Sequence, residues 1–377
     1  MFRLPLPLSP HPSTGLWMMA WKRLCTDRLA MASLTIVLMF FAMLALSMNG
    51  LIASDWDDEV GVNYAPPSFI GAQAAGDRDT AEATAPLSEA PPENPVDPLR
   101  DVIRKLRADM AAEHASADSS TEDYGIPDPL EKELAEIRSA NAAVVVAAIP
   151  KQATLPFGAD KWGHDIVKKT IKGAETSIVV GLIAAFVATF LGTVFGAFSG
   201  YFGGRVDDFF NWFYSIFTSI PYLLLILAVA AVLQQKGLTT IILILGLTGW
   251  TGVFRLVRAE YMKHKEREYV LAADAIGASH IGRMFVHIFP NISHVALVQM
   301  SLLVVGFIKS EVILSFLGFG VPVGVVSWGS MLNEAQNELI LGKWWQLTAA
   351  TAAMALLVTA FSLFTDALRD ALDPKLK

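Results

Sequence analysis

An all-α membrane protein with about six transmembrane helices is the fold class this sequence predicts, and three observations predict it. Hydrophobic residues make up 53% of the chain and charged residues only 17%, against about 25% charge in an average soluble domain. The apolar excess is gathered into six windows free of Asp, Glu, Lys and Arg, each long enough to approach the ~20 residues that a helix needs to cross a hydrocarbon core. Lipid offers no partner for backbone N–H and C=O groups, so each window must be helical, and nothing alternates in the manner of barrel strands.

The elements follow in chain order. Residues 1–28 form an N-terminal segment with Arg3, Lys22, Arg23, Arg28 and the single cysteine, Cys25, which excludes an intrachain disulfide. The first window, 29–54, outruns the ~7–15-residue apolar core of a signal peptide and reads as an uncleaved anchor. Residues 55–157 are a Pro- and acid-rich loop. The stretch 53–173 holds 22 Asp/Glu against 12 Lys/Arg, a net of −10, so the net charge of −7 leaves +3 for the remainder. The acid belongs to one loop, and nothing in the chain suggests a nucleic-acid partner. Residues 71–98 lack the composition to bury a core and are expected to be extended or disordered. Leu99, Ile103, Leu106 and Met110 recur at helical spacing, as do Leu130, Leu134, Ile137 and Asn141. An αα-hairpin and a solvated linker both fit them.

The remaining windows run over 176–204, 209–235, 237–254, 284–308 and 344–365. Gly192, Gly196 and Gly200 fall at i, i+4, i+8, a spacing that lets helices approach closely in lipid and that also occurs incidentally in membrane helices. Pro221 lies inside the third window and predicts a kink. Lys309 and Glu311 close the fifth; they mark either the end of that span or a functional site at membrane depth, and at i, i+2 they do not share a helix face. Lys and Arg concentrate before the first window, around 255–283 and at the C-terminus, which places both termini and the 258–291 segment in the cytoplasm and 55–157 outside. Lys168, Lys169 and Lys172 run against that bias.

Residues 258–291 read RAEYMKHKEREYVLAADAIGASHIGRMFVHIFPN. A helical stretch from 269 to 276, a break at Gly277 and a second helical stretch ending near Pro290 form a helix–turn–helix that presents Ala272, Ala273 and Ala275. Small residues on an exposed helix suit close docking of another protein; a plain connecting loop fits the residue types equally well.

This segment resembles the cytoplasmic-loop signature of ABC importer permeases, through Ala272, Ala273, Gly277, Pro290 and Asn291, with His287-Ile288 as in the peptide-permease version. Leu271 stands where that family has Glu, and Phe289 where it has Leu. FGADKWGHD (157–165), GYFGGRVDD (200–208), SFLGFGV…SWGSML (315–332) and DALRDALDPKLK (366–377) are similar to the dipeptide/oligopeptide/nickel permease subfamily, with His164 in place of Arg. The resemblance implies a type-I importer permease domain over 158–366, a cytoplasmic tail over 367–377 and the 55–157 loop as a periplasmic insertion. It implies an ATPase-coupling segment carried by Glu268, Leu271, Ala272, Ala273, Asp274, Gly277, Ala278 and Pro290; Asp274 or Glu268 would replace the missing Glu. The implied partners are a second homologous permease, two ATP-binding cassette subunits, a periplasmic solute-binding protein and the bilayer.

No G-x-x-x-x-G-K-[ST] phosphate loop is present, and the seven histidines show no ligand spacing, so the chain is read as a pore subunit that needs no cofactor or metal and is not itself an enzyme. Peptide transport is the expected activity, with nickel or another small solute as the alternative. A scaffold acting through the outer loop, and a secondary transporter, are the readings from other classes. Cysteine labelling of a Ser88→Cys variant with an impermeant reagent tests the topology: reaction in intact cells is expected, and reaction only after membrane disruption would overturn it.

Overall fold

In the computed structural model the helices with described bounds, in chain order, are α1 (Leu16–Thr26), α2 (Arg28–Met48), α3 (Ile166–Phe202), α4 (Gly204–Thr218), α5 (Tyr222–Leu233), α6 (Leu238–Thr248), α7 (Thr251–His264), α8 (Glu268–Ala275), α9 (His280–Phe316), α10 (Trp328–Ile340) and α11 (Trp345–Leu372). The structure describes residues 16–71, 102, 105, 106, 151–322 and 324–372, and the side chains from 21 onward. The chain divides into two compact units, 1–69 with 153–377, and 70–152. In the second, Val102, Lys105 and Leu106 are helical; the rest of 72–98 and of the two helical patterns between 99 and 149 lies outside the described residues, as do 373–377.

Among the described residues five helical runs are long and apolar enough to cross a membrane: α2, α3, the run Leu238–His264, α9 and α11. Helices α4 and α5 make a sixth span if taken together, but they bend by 84°. Pro221 lies at the break and caps α5 with φ −54°. A proline ring supplies no N–H and clashes with the carbonyl four residues back, so the expected kink is a full interruption. Two departures from the sequence reading have simple causes. Residues 16–26 form their own helix beside α11, and Asp27 then caps α2 by accepting hydrogen bonds from the Leu29 and Ala30 amides (2.8 and 3.3 Å). Lys309 and Glu311 do not end the fifth span, because α9 continues to Phe316; Lys309 is exposed and Glu311 fully buried.

The bundle is built on α3, which at 37 residues touches most other helices. Its small residues set how closely they approach. A Cβ at Gly192 would lie 2.6 Å from Val253 Cβ, one at Gly196 2.9 Å from the Phe254 carbonyl, and one at Gly200 2.5 Å from the Arg258 carbonyl, all on α7. Gly173 meets Ser327 and Trp328 at the start of α10, and Gly181 meets Ile308 on α9. Beside this seam Trp250 stacks on Phe213 (centroids 5.3 Å apart, 13° between planes) and meets Phe195 and Phe254 edge-on, which holds the otherwise half-buried α4 against the bundle.

Around the first turns of α3, residues 61–67 and 155–165 fold together. Ala65, Leu155 and Ala159 are buried there, and the Trp345 indole donates to the Ala159 carbonyl at 2.7 Å. The three lysines that ran against the charge bias are each paired: Lys168 with Asp55 (2.5 Å), Lys172 with Glu175 (2.8 Å) and Lys169 with Asp160 and Glu334 (2.7 and 2.6 Å).

Gly200→Ala puts a methyl group into the α3–α7 seam, and overpacking of this kind costs about 1–3 kcal/mol. Gly252→Ala, also helical, meets no atom within 4 Å and gains up to about 1 kcal/mol of helix propensity. Thermal unfolding in detergent is expected to separate the two in that order, and equal effects would show that the seam is not tight.

Candidate functional site

Two polar regions lie at opposite ends of α3. The first surrounds its C-terminus, where α7 ends and α8 begins. Val270 and Ala273 of α8 are buried, Val270 in one cluster with Tyr261, Met284 and Ile288, so that one side of the short helix is anchored to α7 and α9. Glu268, Leu271, Ala272 and Ala275 are exposed and, at i, i+3, i+4, i+7, share the opposite face. Ala273 therefore does not belong to the presented surface with Ala272 and Ala275: three residues from Val270, it falls on the inward side.

Helix α8 ends in a Schellman motif, with the Ala278 amide donating to the Ala273 carbonyl (3.0 Å) and the Gly277 amide to that of Asp274 (2.9 Å). Gly277 has φ +82°, a conformation that side-chain-bearing residues resist. Ser279 then caps the next helix by accepting from the Gly282 amide (3.1 Å). Residues Arg283–Ile288 form a π-helical stretch that ends as Pro290 enters, exposed on α9, a widening that accommodates a residue unable to donate. Asp274 pairs with Arg283 at 2.5 Å, and Arg283 also donates to His280 Nδ1 (2.9 Å). Asp274 is thus engaged inside the chain, bridging α8 to α9, while Glu268 stands on the open face; Ala278 is half-buried in the turn.

Beneath this segment lies an ion pair that the sequence reading did not single out. Arg258 of α7 grips Asp207 of α4 through Nε and Nη2 (2.6 and 2.7 Å), and Ser199 of α3 and Asn211 of α4 donate to the same carboxylate (2.5 and 2.9 Å). Gly203 and Gly204, at φ +67° and +50°, turn the chain so that Asp207 arrives there. Asp207 stands in the GYFGGRVDD block and Arg258 opens the 258–291 segment, but nothing in either neighbourhood signals their pairing.

The second region lies at the N-terminus of α3. Glu311, fully buried, accepts from Ser177 of α3 and Ser315 of α9 (both 2.6 Å), while the Ser177 hydroxyl accepts from the Trp328 amide of α10 (3.3 Å). One carboxyl group thereby joins three helices. Nearby, Asp160 is fully buried and accepts from the amides of Trp162 and His164 (2.8 and 3.0 Å), His164 Nδ1 (2.9 Å) and Lys169. Burial alone would raise its carboxyl, but Lys169, helped by His164, holds it below the usual range; its contribution to stability is lost only as pH falls through that lowered value. The FGADKWGHD block carried Asp160 and His164, but Lys169 of α3 and that lysine's second partner, Glu334 of α10, have no sequence signal. Among the described residues no group of three His, Cys, Asp or Glu is placed to hold a metal ion.

Residues 192–377 match the family described as binding-protein-dependent transport system inner membrane component, and residues 15–67 match the N-terminal TM domain of oligopeptide transport permease C. The dipeptide transport system permease protein DppC of Bacillus subtilis (strain 168) is 38% identical over 229 residues, which cover 61% of this chain and 71% of the relative. The oligopeptide transport system permease protein OppC of the same organism is 38% identical over 221 residues (59% and 72%), and OppC of Escherichia coli (strain K12) 37% over 219 (58% and 72%). This chain belongs to that family. It is an ABC importer permease, a multi-pass membrane protein. The two family matches take in the permease's first membrane helix, the seam from Gly192 onward and everything around α8; residues 68–191 lie outside both.

Glu311→Gln keeps the shape of the buried node but leaves one serine hydroxyl without a carboxylate oxygen, and a buried polar group so deprived costs about 1–3 kcal/mol. A lowered unfolding temperature in detergent is expected, and an unchanged one would show that the node does not hold α10 to α3.

Proposed function

We propose that this permease is the pore-forming subunit of an ATP-driven importer and conducts peptides delivered by a periplasmic solute-binding protein. Its similarity to dipeptide and oligopeptide permeases over about three-fifths of its length carries the reading of the solute class. It would work beside a second homologous permease and two ATP-binding subunits, with both termini in the cytoplasm. Pairing of Lys168, Lys169 and Lys172 with acids supports that orientation, because neutralised lysines weigh little in the charge bias that otherwise favours it.

In this reading the open face of α8, with Glu268, Leu271, Ala272 and Ala275, docks on an ATP-binding subunit. Closure of the ATPase pair moves α8, and the Gly277 turn and the Asp274–Arg283 pair pass that movement to α9. Val270, set in the cluster with Tyr261 and Met284, passes it to α7 and through the glycine seam to α3. Nucleotide shifts the equilibrium only by its differential affinity for the two states; a rigid connection from α8 into the bundle lets that difference reach the pore. The apolar side chains that α4 and α5 turn outward, Phe209, Trp212, Leu224 and Val232 among them, suit lipid or the second permease.

Gly277→Val forces a branched residue into positive φ. Membrane insertion near the wild-type level is expected, with ATP hydrolysis by the assembled transporter no longer yielding peptide uptake in proteoliposomes. Undiminished uptake would refute the role of the α8 turn. Mass spectrometry of solute co-purified with the binding protein tests the peptide assignment, and a metal or sugar in its place would overturn it.

A further inference from the structure

We propose that Glu338 is a proton-binding site, whose occupancy sets how firmly α10 is seated on the bundle. Its side chain lies on the third turn of α10, 2% exposed, and among the described residues neither carboxyl oxygen receives a hydrogen bond. The groups that face it are already committed. Lys169 of α3 gives its hydrogen bonds to Asp160 and Glu334. His164 turns to Asp160. Gln346 of α11 donates to the Met331 carbonyl and to Glu334, and its own Oε1 is buried without a donor. Lys343, in the turn before α11, donates its amide to the Glu338 carbonyl while its ammonium lies over the Trp345 ring, 5.7 Å from the centroid. Tyr64, from the loop after α2, senses the Glu338 and Asp160 charges, and the Lys161 amide favours the charged form without reaching hydrogen-bonding geometry. The buried acid of α9, Glu311, is satisfied by Ser177 of α3 and Ser315 of α9.

Acceptors thus outnumber donors, and the charges do not balance. Asp160 and the partly exposed Glu334 outweigh Lys169 by one negative charge, and an ionised Glu338 would add a second on a side chain closed to solvent. A proton removes that charge and supplies a donor in the same step. Glu311 shows the contrast, a buried carboxyl whose two oxygens each receive a serine hydroxyl. Burial is the largest influence on Glu338; Lys169 opposes it, Asp160 and Glu334 reinforce it, and the carboxyl is moved up to about 7. Below that pH the neutral side chain stays seated; above it the charge must find water, and α10 is the element that has to move. A carboxyl raised in the folded state contributes stability that is complete below its unfolded value near 4.5 and lost as pH rises through 7.

The test uses the full chain in lipid nanodiscs. In wild type, an infrared band of a protonated carboxyl is expected to persist to about neutral pH and to disappear above it, with the unfolding temperature falling between about pH 5 and 7 and level beyond. In Glu338→Gln that band component and the fall in this window should both be absent. In Glu334→Gln, which removes a repelling neighbour and frees Lys169, the midpoint should move to lower pH. Wild-type titration confined to the ordinary carboxylate range, or a neutral-pH transition that survives in Glu338→Gln, overturns the proposal. Should Glu338→Gln fail to fold, an unmoved midpoint in Glu334→Gln overturns it instead.

Discussion

The close approach permitted by small residues along α3 is the constraint on which the rest of the permease depends. In lipid, side chains gain little by leaving one apolar surface for another, so helices associate through close packing and polar contacts. Helix α3 meets α10 at Gly173, α9 at Gly181 and α7 at Gly192, Gly196 and Gly200. Each contact brings a backbone or a branched side chain into the space that a Cβ would fill. At ~1.5 Å per residue the 37-residue helix reaches from the Asp160 cluster to the α8 turn, a length of about 55 Å. No flexible connection interrupts it, so the two polar regions are ends of one rigid element.

Polar groups fix what the glycines bring together. At the α8 end Asp207 and Arg258 tie α4 to α7, with Ser199 joining from α3. At the other end Glu311 ties α9 to α3 and Lys169 ties α3 to the loop before it and to α10. Most of these groups satisfy each other. Where they do not, as at Glu338, the deficit lies on a short amphipathic helix outside the membrane runs, in a layer shared by four segments of the chain.

How much of this was legible follows from the range of the interactions. Span windows, the Pro221 interruption and the family blocks depend on residues close in sequence, and a reading by composition and spacing reached them. The positive φ of Gly277 follows from a glycine between two helical stretches, again a local pattern. Ala273 was read as presented surface because its size suits docking, but helical period, with Val270 as the reference, places it inward. Helix α1 escaped notice because its apolar residues lie among Lys22 and Arg23 in a segment shorter than a span. The charge clusters were out of reach: Lys169 and Glu334 are 165 residues apart, and nothing in either neighbourhood signals the other.

The interruption at Pro221 bears on where water enters the protein. Pro221 has no N–H for the Phe217 carbonyl, and Ser219, Ile220 and Pro221 are exposed. Backbone outside a helix is tolerated at membrane depth only against protein or beside water. If α4 and α5 together cross the bilayer, the 84° corner therefore cannot face acyl chains. It must be hydrated or covered by a neighbouring chain, and hydration there would bring solvent to the middle of the hydrocarbon layer with carbonyl oxygens lining its edge.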